Sequence, residues 1–316
     1  MKKIRQSIKA LRLCALFTAL LMLLCGCTLP DELQFLLSDA YFFDAPSGEP
    51  DGQLTLEFLY VGQADCTLIR FPSGETMLVD GGNDADGDGI ADYLLRRGID
   101  RLDYVVGTHP HEDHIGGLDK IISRLSVGAV YAPELPDNLV PDTRNYADFL
   151  SAAQDSCCGV TYLSAGERLY TADALAVDCL SPDSRDVFSD LNNYSIVLRI
   201  TYGEDAFLLM GDAEQTVEKI LLREGCELQA DLLKVGHHGS HSSSGGRFLR
   251  VVDPDYAVIS CGVDNSYGFP HTETMDALAK EGAQVYVLST VGSVTATSHG
   301  DGITVQSDAG LLLDAA

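Results

Sequence analysis

The chain has 316 residues but no tryptophan, only eight histidines, and 21 lysines and arginines against 47 aspartates and glutamates, for a net charge of −26. Scarce cations count against a generic nucleic-acid-binding surface, because such affinity comes largely from neutralising phosphates. A surface this acidic stays soluble and repels polyanions at long range. No G-x-S-x-G occurs, which removes the nucleophile elbow of a serine hydrolase. No internal repeat is visible. The nine cysteines follow no zinc-knuckle spacing, and adjacent Cys157 and Cys158 cannot easily bridge each other. Buried free thiols are the expectation for Cys66, Cys157, Cys158, Cys179, Cys226 and Cys261.

The cations that do occur are concentrated at the start. Lys2, Lys3, Arg5, Lys9 and Arg12 precede an apolar run at 13–24. The run is shorter than the ~20 residues a spanning helix needs and reads as the core of a signal peptide at 1–26. It ends in Leu24-Cys25-Gly26-Cys27, which resembles a bacterial lipobox with Cys27 as the lipid-modified residue. An uncleaved membrane anchor is the alternative. Either way the remainder lies outside the cytoplasm, and a lipid would tether it to the outer face of a membrane at the bacterial cell surface. The opening segment carries five of the 21 cations and none of the 47 anions, leaving 16 against 47, or −31, from Cys27 onward. Residues 27–52, rich in Asp, Pro and Gly toward their end, read as a tether, 53–308 as the folded domain, and 309–316 as a tail.

Three of the eight histidines fall within six residues, His109, His111 and His114, together with Asp113. The preceding Tyr104, Val105, Val106 and Gly107 have the apolar character of a buried strand. A strand fixes its last residue, and the following loop can then turn alternate side chains toward one point. Imidazole nitrogen and carboxylate oxygen suit divalent zinc, manganese or iron. Gly116-Gly117 allows a tight turn into the next helix. A polar surface turn is the bland reading, and the clustering argues against it.

The stretch Thr108-His109-Pro110-His111-Glu112-Asp113-His114-Ile115-Gly116-Gly117-Leu118 resembles the signature of the metallo-β-lactamase fold superfamily. Asn193-Tyr194-Ser195, Met210-Gly211-Asp212 and Lys234-Val235-Gly236-His237-His238-Gly239-Ser240 narrow the likeness to the hydrolase domain at the C-terminus of ComEC/Rec2-type DNA-uptake (competence) proteins. The resemblance implies an α/β, four-layer αββα sandwich with two divalent cations, Zn or Mn, at one edge between the sheets. It implies His109, His111, Asp113, His114, Asp212 and His237 as metal ligands, with Asp212 bridging. A helix cap is the plainer reading of Asp212. In related hydrolases the first histidine of the second run is the ligand, hence His237. His238 is then left to protonate a leaving group, and Asp113 serves as ligand and proton acceptor. Asp80 either orients a histidine or is an ordinary turn carboxylate.

The chain departs from many such enzymes in having no histidine between 115 and 236. The ComEC-like group shows Asn/Ser at the third-ligand position, matching Asn193 and Ser195. A tight site (Asp113, His114, Asp212, His237) and a looser one (His109, His111) follow. Asn265-Ser266-Tyr267-Gly268-Phe269-Pro270-His271 resembles an N-x-Y-G-H-P stretch with Phe269 in place of the histidine. His271 contacts substrate or caps a helix, His241 contacts substrate or is plain loop, and His299 is a surface residue. Lys234 either snorkels or lies near the site.

Asp84, Asp86, Asp88 and Asp92 occupy positions 1, 3, 5 and 9 of a Ca²⁺-type loop with Gly89 at 6, but position 12 is Leu95 rather than glutamate. Either a weak structural Ca²⁺ site or the solvated start of a helix at 92–97 is expected. Strands are expected at 54–61, 66–71, 76–79, 104–107, 129–132, 161–163, 168–170, 175–180, 195–202, 206–210, 231–235, 256–260 and 284–288, with helices between them. Combined with the resemblance, these features give an exported, membrane-tethered hydrolase using a metal-bridged hydroxide on phosphodiesters, either nucleic acid or a cell-envelope polymer. The alternatives are a non-catalytic metal-dependent binding lipoprotein and a hydrolase of another ester or lactone, the latter disfavoured by the missing histidine.

Overall fold

The first sheet starts with β1 (Leu54–Phe58), β2 (Thr67–Arg70) and β3 (Thr76–Val79), antiparallel neighbours in which Leu56 pairs with Ile69 and Leu68 with Leu78. Helix α1 (Gly87–Arg96) carries the chain to β4 (Arg101–Val106), parallel to β3. The short α2 (Glu112–Ile115) and α3 (Leu118–Arg124) lead to β5 (Ser126–Pro133), and α4 (Arg144–Asp155) leads to β6 (Val160–Leu163), again in parallel. The second sheet begins with antiparallel β7 (Arg168–Ala172), β8 (Leu175–Ser181), β9 (Val197–Tyr202) and β10 (Asp205–Leu209). Helix α5 (Gln215–Glu224), strand β11 (Leu232–Lys234), helix α6 (Gly246–Val252), strand β12 (Tyr256–Ile259), helix α7 (Thr272–Glu281) and strand β13 (Gln284–Val287) follow, the strands adding in parallel. After α8 (Leu288–Val291), the hairpin β14 (Val294–Ser298) and β15 (Ile303–Ser307) returns to the first sheet. The sheet orders are β15-β14-β1-β2-β3-β4-β5-β6 and β13-β12-β11-β10-β9-β8-β7.

This computed structural model describes residues 52–156 and 159–308. The signal segment, Cys27, the tether up to residue 51, Cys157, Cys158 and the tail lie outside the described residues. Among the described residues no helix is long and apolar enough to cross a membrane.

The layers follow from side-chain alternation along the strands. Phe207 and Leu209 of β10 join Leu54, Leu56 and Phe58 of β1 in the cluster between the sheets. Ala206 and Leu208 face the other way, with Val217 and Leu221 of α5 and Phe248 and Leu249 of α6. On the outer face of the first sheet, Leu118 and Ile121 of α3 press against Gly81, and Ile115 and Phe149 against Gly107. Helices thus cover both outer faces, the αββα arrangement expected.

Two regions differ from the sequence-based expectation. The pair β14 and β15 was not legible, because its buried positions, Val294, Ala296 and Ser298, are mostly small, and threonines separate them. Register with β1 (Leu54 opposite Ser298, Phe58 opposite Val294) supplies what the pattern lacks. Helix α1 starts five residues earlier than its polar first turn suggests, since Ile90, Ala91 and Leu94 are buried against its neighbours.

The same region disposes of the Ca²⁺ loop. Asp84 pairs with Lys120 at 2.9 Å, Asp88 with Arg124 at 3.1 Å, and Asp92 also with Arg124. Asp86 Oδ2 instead accepts from the backbone and side-chain nitrogens of Asn83 at 2.9 and 3.1 Å. The four carboxylates are taken up by Lys120, by Arg124 and by a helix cap rather than turned toward one point. The solvated helix start is the arrangement found.

Candidate metal centre

The segments that follow β3, β4, β10, β11 and β12 leave the sheets at their carboxyl ends, the edge where open α/β proteins hold ligands. Those segments carry Asp80, the stretch from Thr108 to His114, Asp212, His237 with His238, and Ser260 in turn. Two glycines let the backbones come this close. A Cβ on Gly117 would lie 2.3 Å from the Gly81 carbonyl oxygen. Gly211 has φ +53°, and its missing Cβ leaves room for Ser195 and Thr108.

Asp212 is the centre of the cluster. Its Oδ1 lies 3.3 Å from His114 Nε2 and 3.6 Å from His238 Nε2. Its Oδ2 lies 3.8 Å from His109 Nε2 and 3.9 Å from His237 Nε2. Asp113 Oδ2 is 3.2 Å from His238 Nε2, and His111 Nδ1 is 3.0 Å from His109 Nε2. Three sets of side chains bring potential ligand atoms together: His109, His111 and Asp212; Asp113, His114 and His238; and Asp65, His114 and Asp212.

Hydrogen bonds on the far side of each ring set which nitrogen faces inward. His238 Nδ1 lies 2.9 Å from the Ser260 carbonyl, which can only accept, so Nδ1 carries the hydrogen and Nε2 a lone pair. His114 Nδ1 lies 2.8 Å from Asp80 Oδ2, with the same consequence. Asp80 is itself fixed by Thr108, whose N–H and hydroxyl donate to its two oxygens at 2.8 Å each. Asp80 therefore stands behind a histidine, the first of its two sequence readings. The two Nε2 atoms, Asp113 Oδ2 and Asp212 Oδ1 are all electron-pair donors turned toward one another. Asp212 Oδ1 is buried with no hydrogen-bond donor. Such a group calls for positive charge, which protons on the rings supply in the absence of metal; with the rings neutral, its nitrogen and oxygen donors fit a divalent zinc or manganese ion.

The titration behaviour has the same origin. Burial works against charge on His114, but Asp212 and Asp80 outweigh it and lift its pKa well above the usual imidazole value. Burial likewise opposes charge on His238, and Asp212 and Asp113 reverse the balance. Burial would raise the Asp212 pKa, yet His238 and His114 hold it well below the usual carboxylate range. His109 is driven the other way by burial and by His114, and stays neutral.

The two adjacent histidines sit differently about Asp212, and the sequence reading set His237 at the metal and His238 toward a leaving group. His238, 1% exposed, stands with Asp113 and His114, whereas His237 is partly exposed at the rim. His237 Nδ1 contacts Ser242 Oγ at 3.1 Å and Glu214 Oε1 at 3.4 Å, and its Nε2 faces Asn192 Nδ2 at 3.4 Å. Both histidines have left-handed backbones, φ +47° and +51°, which turn the rings to opposite sides of Asp212. Spacing along the chain carries no trace of that reversal.

Asn193 and Ser195 do not reach the cluster as ligands, because they brace the Asp212 loop. Ser195 Oγ accepts from Asp212 N at 3.0 Å, and Asn193 bonds Glu214 through both amide atoms. His241 and His271 pair with each other, the His241 N–H donating to His271 Nδ1 at 3.0 Å. His271 occupies the N-cap position of α7 without a side-chain capping bond, and His299 lies exposed beyond β14. Lys234 is buried and bonds Asp65 at 2.8 Å, which decides between its two readings. Asp65 was missed by sequence reasoning. The signal available was a carboxylate in Gly62-Gln63-Ala64-Asp65-Cys66, directly ahead of an apolar strand.

The family profile described as Metallo-beta-lactamase superfamily matches residues 59–263. Recombination protein 2 of Haemophilus influenzae is 32% identical over 256 residues, 79% of this chain and 30% of that protein. ComE operon protein 3 of Bacillus subtilis is 31% identical over 202 residues, 64% of this chain and 25% of that protein. The aligned part is thus about a quarter to a third of these relatives' length. Among solved structures, the diiron β-hydroxylase CmlA of Streptomyces venezuelae superposes with a TM-score of 0.49 at 18% identity, covering 78% of this chain and 54% of its own. The metallo hydrolase Igni18 of Ignicoccus hospitalis gives a TM-score of 0.48 at 16% identity, covering 76% and 98%. With the profile spanning most of the chain and the fold and clustered histidines agreeing, the protein belongs to the metallo-β-lactamase superfamily.

Proposed function

We propose that residues 53–308 form a metal-dependent hydrolase of phosphodiesters, carried out of the cytoplasm by the signal segment and tethered through a lipid on Cys27. The observation that carries the catalytic part is the convergence of Asp113, His114, His238 and Asp212 with a buried, unpartnered carboxylate oxygen at its centre. In this reading Asp113, His114 and His238 would hold one Zn or Mn ion and His109 and His111 the other, with Asp212 available to both. Cations in such a pair lower the pKa of water and polarise the oxygen that gains charge.

The chain's own groups supply the rest. Asp113, with its side chain 30% exposed, is the open carboxylate of the set and accepts a proton. In this reading His238, with Nδ1 on the Ser260 carbonyl and Nε2 facing Asp113, is given to the ion rather than to protonating a leaving group. His237 takes that role from the rim, steadied at Nδ1 by Ser242 and Glu214. The choice of phosphodiester rests on the motif resemblance and on the relative named for recombination. The net charge of −26 disfavours a long DNA track, so a short nucleic-acid end or a cell-envelope polymer suits the surface better.

The test is turnover of bis-p-nitrophenyl phosphate by purified protein with Mn²⁺ or Zn²⁺, with and without chelator. Hydrolysis abolished by the chelator and by Asp113→Ala supports the reading. Chelator-insensitive turnover, or an Asp113→Ala variant at the wild-type rate, defeats it. Bound metal without turnover on any ester supports the binding-lipoprotein alternative.

A further inference from the structure

The loop between β12 and α7 holds two aromatic rings in an unusual position. Tyr267 is 64% exposed, and its ring lies at 11° to that of Phe269, with centroids 5.3 Å apart. Phe269 in turn lies over His238, at 25° and 6.1 Å, and meets the edge of His237 at 5.5 Å. The rings form a ladder from the metal-facing histidine outward, ending on an open Tyr267 face.

The loop is built to keep this arrangement. Asn265 Nδ2 donates to the Gly262 and Phe269 carbonyls at 3.0 and 2.7 Å, and Asn265 Oδ1 accepts from Phe269 N at 2.9 Å. His271 Nδ1 accepts from the His241 backbone, so its Nε2 carries the hydrogen toward the Tyr267 carbonyl at 3.2 Å. An isolated exposed aromatic residue needs no explanation. One that is stacked, clamped at both flanks and two rings from a candidate reaction centre does.

We propose that the Tyr267–Phe269 pair is a stacking platform for a nucleobase attached to the scissile phosphodiester. This inference rests on the phosphodiester reading of the same site. Stacking on an aromatic face is tolerant of base identity and needs no phosphate-neutralising cations along a strand. Lys234, the buried cation beside the site, is committed to Asp65. A protein of this charge therefore gains its hold on the substrate at the scissile group and at the adjoining ring. The stacked, nearly parallel pair favours a planar ring over a quaternary ammonium group, which is held by aromatic rings that enclose it.

The experiment compares adenylyl-(3′→5′)-adenosine with glycerophosphoglycerol, a diester without rings, in wild type, Tyr267→Ala and Tyr267→Phe. The metal-loaded protein is used throughout, and binding of adenosine 5′-monophosphate is followed separately by calorimetric titration. Tyr267→Ala is expected to raise KM for the dinucleotide about tenfold with kcat within about twofold, and to weaken adenosine 5′-monophosphate binding by a similar factor. The effect on the ring-free diester should be several-fold smaller, and Tyr267→Phe should restore the dinucleotide KM. Equal losses on both diesters, or unchanged nucleotide binding in Tyr267→Ala, would overturn the platform. Should wild type hydrolyse no phosphodiester, the functional reading fails, and the nucleotide titration alone decides whether the platform exists.

Discussion

His238 Nδ1 lies 2.9 Å from the carbonyl oxygen of Ser260, and this contact fixes which nitrogen of a buried ring meets Asp113 and Asp212. Neighbours in sequence therefore have different surroundings. His238 is locked inward by the end of β12, and His237 is held at the rim by Ser242 and Glu214.

His238→Ala should bind one equivalent less metal than wild type, since it removes an electron-pair donor from the Asp113 and His114 group. His237→Ala should retain the wild-type metal content and lose turnover by roughly a hundredfold, the lower range for removing an acid–base group. Elemental analysis of the two purified variants, beside rates on one diester, checks both. Equal metal loss in the two variants would restore the sequence-based choice of His237 as ligand.

Lys234 and Asp65 form a buried pair at 2.8 Å, with Lys234 2% and Asp65 4% exposed. Burial alone would raise the Asp65 pKa, and Lys234 brings it below the usual value. Lys234→Met leaves that carboxylate without its main compensation and should cost about 3–5 kcal/mol. The double variant with Asp65→Leu should recover a good part of the loss. Urea unfolding monitored by circular dichroism measures it, and a single variant within about 0.5 kcal/mol of wild type would contradict the argument.

Glu218 of α5 is buried, accepts from the backbone N–H groups of Ser244 and Gly245, and has its pKa pushed up to about 7 by burial from an ordinary value near 4.5. Between these two values the folded chain holds a proton that the unfolded chain releases. The contribution to stability is present at the acid end of that window and is lost as pH rises through about 7. Glu218→Gln cannot ionise, so its stability relative to wild type should improve from pH 5 to pH 8, by up to about 3 kcal/mol. Parallel pH profiles for the two proteins would show that Glu218 does not titrate in this way.

Much of the architecture was legible because local patterns are short-ranged. Alternating apolar residues gave β1, a continuous apolar run gave β10, and the histidine run after β4 marked the site. Helix α1 was drawn too short because Asp and Gly dominate its first turn while its buried residues come later. Strands β14 and β15 escaped because Val294 and Ala296 are a weak signal without β1, which is remote in sequence.

The sequence by itself determined the kinds of ligand atom, the acidic surface and the order of strands and helices, since each depends on residue type and near-neighbour spacing. Tertiary structure decided how those groups are used. It turned His238 inward and His237 outward through two left-handed residues, gave Asn193 and Ser195 to the Asp212 loop, and brought Asp65 to Lys234 across 169 positions. It also set Asp84, Asp88 and Asp92 onto Lys120 and Arg124. The physical reason is that coordination and pairing depend on direction and distance between side chains, which are fixed only when separate strands are packed side by side.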